Sequence, residues 1–338
     1  MTGALDGIKI VDLSRILAGP YCTQMLCDLG ATVVKVEAPW GDDTRGWGPP
    51  FLDDGTAAYH LSCNSGKEII NVNLKSDPGV IHALLEDADV VVENFRPGQL
   101  ERIIGPLSDH LIVCSITGFG QTGPRSQEPG YDLALQAMSG IMSVTGQEGA
   151  SPVKVGVAWI DIITGLYAGN AILAALFERE RNGKTQRLDI SLWDCAIASL
   201  ANQGQNFLIS GQNPGLMGSS HPNLVPYQAF EASDGWIIIA IGSDGQWNKF
   251  CKKMNVELNW ITNQERVVNR TEVVRFVQNL VQNKTKQEIQ ILLEGIPTSP
   301  INSISEALTD PQSVARGVIT QFEGNPILAS PLRFMTSE

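Results

Sequence analysis

The chain has 338 residues, enough for a large core and for two domains. Hydrophobic residues make up 43% and charged residues 18%, a globular balance that argues against disorder. The net charge of −12, with no basic cluster or basic helix face, argues against a nucleic-acid partner. An anionic ligand would need a local gathering of Lys, Arg and backbone N–H groups. Strands are expected over 8–13, 32–37, 69–74, 89–93 and 111–116, with helices over 21–29 and 78–87. This alternation predicts βαβ units and a Rossmann-like, doubly wound parallel sheet. A further helix, rich in small residues, is expected over 166–180. Residues 1–205 are assigned to this large domain and 206–226 to a Gly/Ser/Asn/Pro-rich linker. A smaller α+β domain is expected over 227–300, with strands at 227–231 and 236–241 and helices at 246–254, 270–282 and 285–294. Residues 301–338 return toward the large domain, with short strands at 318–322 and 331–334.

The opening stretch MTGALDGIKIVDL has no basic region leading into a long apolar run. No signal or transit peptide is therefore expected, and the compartment read is cytoplasmic, a pattern a processed mitochondrial protein would share. Cys22, Cys27, Cys63, Cys114, Cys195 and Cys251 form no CxxC and no metal-ligand spacing with a His. They are expected to be reduced packing residues, and no metal is expected. Residues 155–176 are long enough to cross a bilayer, but Asp161 and several glycines favour a buried core segment.

Asp161 interrupts the apolar run PVKVGVAWIDIITG. A carboxylate among Trp159, Ile160, Ile162 and Ile163 should have compensating donors. At or near the N-terminus of the helix that follows, it is either a cap or a catalytic group. The segment GFGQTG at 118–123 matches GxGxxG, but it falls at the last expected strand and is followed by Pro124, Arg125 and Pro129-Gly130. A dinucleotide fingerprint needs a helix there, so a backbone that approaches a ligand closely is the better reading. Ligands of open α/β sheets bind beyond the carboxyl ends of the strands. That puts Arg15, Arg45 and Arg96, each in a different strand-end loop, on one rim suited to phosphates. No GxSxG elbow is present, and His60, His82, His110 and His221 are scattered, so a Ser/His/Asp hydrolase has little support.

Taken together, DLSRILAGP, DLGATVVKVEAP, GDDTRGWGPPF, ADVVVENFRPGQLER, SITGFGQTGP, GYDLALQAMSGIMSVTG, VGVAWIDIITGLYAGNAILAAL and PQSVARGVI resemble the family III CoA transferases. They span nearly the whole chain in the family's order. GDDTRGWGPPF and VPYQAFEASDGW resemble most the succinate–hydroxymethylglutarate group. The resemblance implies that Asp161 is a nucleophile, passing through a mixed anhydride and an aspartyl-CoA thioester. It implies a CoA groove lined by Ile16, Leu17, Lys75, Asn94, Phe95 and Arg102, and Trp47 and Tyr131 beside the acyl group. The family's glycine-rich lid corresponds to Gly218-Ser219-Ser220-His221-Pro222, a departure that makes His221, with Arg45, a candidate for a distal carboxylate. Acyl-CoA and small carboxylates are the expected partners, with no permanently bound cofactor and no membrane. An interlocked homodimer is expected from the resemblance. Three places, near 105–110, near 258–262 and at the end, are shorter than the family pattern. Two alternatives stand beside this one. An acyl-CoA racemase of the same fold uses a His where this chain has Tyr131, and a phenol is a poor base near neutrality. A CoA-binding protein without turnover would use Asp161 only as a cap.

Overall fold

A computed structural model describes residues 3–334. The chain divides into two compact units, one of residues up to 142, 154–205 and from 312 onward, the other of 143–153 and 206–311.

The first unit begins with β1 (Lys9–Asp12), α1 (Ala18–Asp28), β2 (Thr32–Glu37), α2 (Ala58–Leu61), β3 (Glu68–Asn71), α3 (Pro78–Glu86), β4 (Val90–Glu93), α4 (Gln99–Ile104) and β5 (Ile112–Thr117). Then come α5 (Asp132–Met138), α6 (Ile141–Val144), α7 (Trp159–Asn182), β6 (Arg187–Ser191), α8 (Leu192–Ala198) and α9 (Ala201–Ser210), of which α6 and α9 run on into the second unit's part of the chain. All six strands pair in parallel, in the order β3-β2-β1-β4-β5-β6. Val90, Val91, Val92, Ile112 and Cys114 are fully buried, as strands covered on both faces must be. Each apolar side chain so buried contributes about 1.5–3 kcal/mol. β6 is an edge strand whose RLDIS sequence offers only two apolar positions, too weak a signal to assign from sequence. The GFGQTG turn therefore follows the fifth strand of six rather than the last.

The long helix starts at Trp159, not at 166, so Asp161 lies inside its first turn rather than ahead of it. Ile160, Ala168 and Ile172 pack into the sheet core. Small residues let α7 approach α1: a Cβ on Gly165 would stand 2.7 Å from the Ala18 carbonyl oxygen, and one on Gly169 would strike Met25. By length and composition α7 could also cross a membrane, and half of its most apolar stretch is buried in this unit.

In the second unit β7 (Tyr227–Ala232), β8 (Gly235–Ala240) and β9 (Thr298–Pro300) form an antiparallel sheet. With them are α10 (Asp244–Met254), α11 (Asn263–Val268), α12 (Arg270–Val281), α13 (Lys286–Leu292) and α14 (Ile304–Thr309). Val273, Val277 and Val281 of α12 pack with Phe230, Ile237 and Ile239 of the sheet. Residues 206–226, expected as a linker, belong to this unit. The Gly218 N–H donates to the Gly146 carbonyl and the Ala229 N–H to the Ser219 hydroxyl. After α15 (Pro311–Arg316), β10 (Ile319–Phe322) and β11 (Asn325–Leu328) form a hairpin that belongs to the first unit. Its second strand is thus earlier than the 331–334 expected.

Candidate active site

The strand order reverses between β1 and β4, the position at which an open sheet parts its loops to make a crevice. Asn94, just after β4, bridges to the loop after β1. Its Oδ1 accepts from the Arg15 N–H at 3.1 Å and its Nδ2 donates to the Arg15 carbonyl at 2.8 Å. The next residue, Ile16, has φ of 73°, which a β-branched side chain adopts only under strain. A buried ion pair holds it there. Asp42 Oδ2 accepts from the Ile16 N–H at 3.2 Å and from Lys35 Nζ at 3.1 Å, and Lys35 also donates to the Ser14 carbonyl at 2.9 Å. Below them Lys67 Nζ donates to Asp12 Oδ2 at 3.2 Å and to Thr23 and Asn64. Burial opposes the Asp12 charge, yet Lys67, Lys35 and two hydroxyls hold its carboxyl below the usual range.

Asp161 is positioned by a cap from elsewhere in the chain. The N-cap residue of α7, Ala158, has no side-chain acceptor. Asp132, at the start of α5, supplies one: its Oδ1 accepts from the Ile160 N–H at 2.8 Å. Its Oδ2 accepts from Gln136 Nε2 at 2.7 Å, and Gln136 Oε1 accepts from the Val155 N–H at 2.9 Å. The Asp161 carboxylate itself has no hydrogen-bond partner among the described residues, contrary to the expected compensating donors. Burial pushes it up to about 7, and the Asp132 charge adds to the push. Tyr59, on α2, is pushed up to about 12 by burial and then by the Asp161 charge. Its ring also meets Trp47 edge-on at 5.3 Å.

Two neighbouring cavities share Arg15 and Phe95 as their common wall. One, of about 250 Å³, contains Asp161 with Ile16, Leu17, Asn94, Arg96 and Tyr131. The other, of about 370 Å³, lies between Leu13, Glu37, Trp40, Asp42 and Lys75. The first is walled in part by the 118–130 loop, where backbones touch: a Cβ on Gly118 would be 2.7 Å from Gly130 Cα, and one on Gly130 2.5 Å from Gly118 Cα. No helix opens after GFGQTG until Asp132, so the dinucleotide reading stays rejected.

Not every expected site residue gathers at these cavities. Arg45 is held by Glu37 at 2.6 and 3.2 Å, and Glu37 also bonds His60 at 2.8 Å. Burial would raise the Glu37 carboxyl, but those two partners bring it down to about 2. Arg102 turns its Nε to the Gly98 carbonyl and lines neither cavity. His221 lies in the second unit, where its Nδ1 accepts from the Asn223 N–H and its ring packs on Tyr227. Sequence reasoning missed Tyr59, the Lys35–Asp42 clamp and the role of Asp132. Only Asp132 left a trace, as an Asp opening a helix with Gln136 one turn on. Among the described residues no group of three or more His, Cys, Asp or Glu could hold a metal ion.

The model of the family described as CoA-transferase family III matches residues 5–337. The succinate–glutarate CoA-transferase of Agrobacterium fabrum is 42% identical, over 98% of this chain and 91% of that protein. The human succinyl-CoA:glutarate CoA-transferase is 41% identical, over 94% of this chain and 76% of that protein. Among solved structures, a CAIB/BAIF family protein from Brucella suis superposes with a TM-score of 0.88 at 43% identity, covering 99% of this chain and 93% of the other.

Proposed function

The chain belongs to CoA-transferase family III, and from that membership we propose that Asp161 is the nucleophile through which CoA passes from donor to acceptor. The enzyme is an acyl-CoA:carboxylate CoA transferase. The relatives' names support succinyl-CoA as donor and a dicarboxylate such as glutarate as acceptor. An ionised Asp161 oxygen bonds to the thioester carbonyl carbon, the C–S bond breaks, and CoA leaves as thiolate from a mixed anhydride. The thiolate then bonds to the Asp161 carbonyl carbon, the C–O bond breaks, and the donor acid departs. The acceptor carboxylate runs the same two steps in reverse.

One observation carries this reading: an unpartnered, largely buried carboxylate in the wall of a cavity at the strand-order reversal. A mere cap would be bound to the backbone it caps, and in this fold Asp132 does that work instead. The two cavities support a CoA path past Arg15 and Phe95, with Lys75 and the 370 Å³ cavity on the nucleotide side. Tyr131 lines the Asp161 cavity, where a phenol supplies no base for racemisation. Arg45 is already engaged by Glu37 and so is not free to hold the distal carboxylate of the acyl group. Exposed Leu166, Tyr167 and Phe177 along α7 support a dimer that covers them.

The test is intact-mass spectrometry after incubation with succinyl-CoA. A CoA-sized adduct that hydroxylamine removes, that maps to Asp161 and that is absent in Asp161→Ala is the expected result. No adduct with several acyl-CoA donors, and acyl-CoA binding unchanged in Asp161→Ala, would refute it.

A further inference from the structure

We infer that Asp132 is a positioning residue that biases Asp161 toward its acylated forms. This rests on the reading of Asp161 as nucleophile. Both oxygens of Asp132 accept hydrogen bonds, one from the Ile160 N–H at 2.8 Å and one from Gln136 Nε2 at 2.7 Å, which is the pattern of an ionised carboxylate. The first bond ties Asp132 to the residue immediately before Asp161, near enough for its charge to act on the Asp161 carboxyl.

Among the described residues no cation pairs with either carboxylate. Burial and Asp132 are what raise the Asp161 carboxyl. The same pocket holds Arg15 and Arg96 with Glu128 and Tyr131, and Arg15 is paired with Asp43 at 3.3 Å. Tyr59, on α2, is close enough for the Asp161 charge to raise its phenol. The other helices packed on α7 bring Tyr21 and Cys22 from α1 and Asp194 and Cys195 from α8.

The chemistry makes this arrangement useful. When the donor acid has left, Asp161 is an uncharged aspartyl-CoA thioester, and the negative charge it carried has gone with the released carboxylate. Repulsion from Asp132 is present only before acylation and is relieved by it. Asp132 therefore raises the free energy of the free carboxylate and leaves the covalent forms untouched. Protonation of Asp161 removes the same charge from the same place. The two equilibria, proton binding and acylation, must consequently respond together when the Asp132 charge is removed, a coupling that loss of a structural hydrogen bond would not produce.

The experiment uses Asp132→Asn, which keeps an acceptor for the Ile160 N–H and removes the charge. Enzyme is equilibrated with succinyl-CoA and succinate at a fixed ratio near pH 8, and the ratio of CoA-bound to free protein is read by intact mass. The acid limb of the pH profile for adduct formation is measured in parallel. The expected result is that the limb moves to lower pH and the bound-to-free ratio falls by the same factor, ~10-fold for each pH unit. A second variant, Asp132→Asn with Gln136→Glu, satisfies every hydrogen bond of the relay and moves the charge one turn along α5, so it carries the test if the single variant does not fold. It should show smaller shifts that remain equal to each other. If the wild-type enzyme forms no adduct on Asp161, the nucleophile reading fails and this inference with it. If the adduct forms but its ratio is unchanged in Asp132→Asn, or moves without the acid limb, this inference alone is overturned.

Discussion

Replacing Asp161 by Asn should make the protein more stable at neutral pH while it abolishes transfer. Asp161 is a carboxyl raised by the fold, from 3.8 to about 7. A carboxyl whose folded value exceeds its unfolded value disfavours folding whenever it is ionised in the unfolded chain. That cost is absent below 3.8, grows as pH rises, and is complete above about 7. The gap is equivalent to ~4 kcal/mol, and solvent reaching the carboxylate through the cavity reduces it to ~2–4 kcal/mol. Urea unfolding of both proteins at several pH values between 4 and 8 measures it. The Asn variant should be the more stable at pH 8, with an advantage that shrinks by up to ~1.4 kcal/mol per pH unit toward acid and vanishes near pH 4. A variant less stable than wild type at pH 8, or a difference that does not change with pH, would show that the Asp161 charge is compensated and would remove the physical basis for its reactivity.

Gly165→Ala would put a methyl 2.7 Å from the Ala18 carbonyl oxygen and force α1 away from α7. Overpacking of ~1–3 kcal/mol should outweigh the ~1 kcal/mol gain in helix propensity, so both unfolding midpoint and kcat/KM should fall. Asp42→Ala strands Lys35, whose side chain is fully buried, and releases the Ile16 N–H. A loss of ~3–5 kcal/mol is expected in denaturant unfolding, because one half of a buried pair is left behind. Lys75→Ala removes an exposed cation from the wall of the 370 Å³ cavity. Steady-state kinetics should show a KM for acyl-CoA raised by ~3–10-fold with kcat unchanged, and an effect that fades at high salt.

The sheet could be read from the sequence because its strands are buried on both faces and so are continuous apolar runs, as in Val90 to Val92. The rim rule likewise brings Arg15 and Arg96 to one crevice from sequence alone, and both line the Asp161 cavity. The start of α7 was not legible. Ile160, Ile162 and Ile163 look like strand residues, and the cap of the helix is Asp132, far away in the chain. Gly165 and Gly169 look like helix breakers, and only the α1 residues beside them explain their use. The fate of Arg45 was hidden for a similar reason. Its partner Glu37 ends a strand whose other charged residue, Lys35, is also buried, and a sequence does not reveal which charges fold inward together.

Gly118 and Gly130 meet at their Cα atoms, and this limits how the enzyme can diversify. Protein cores commonly drift by exchange, one residue shrinking as its neighbour grows. At this contact both partners are already at the smallest size available, so that exchange has no starting move. With the Asp161 cavity as the proposed acyl site, a variant that accepts bulkier acyl chains must find the room at Leu192, Ile116 or Tyr131, on its other walls. The seam is thus a fixed side of the chamber, and acyl preference can evolve only around it.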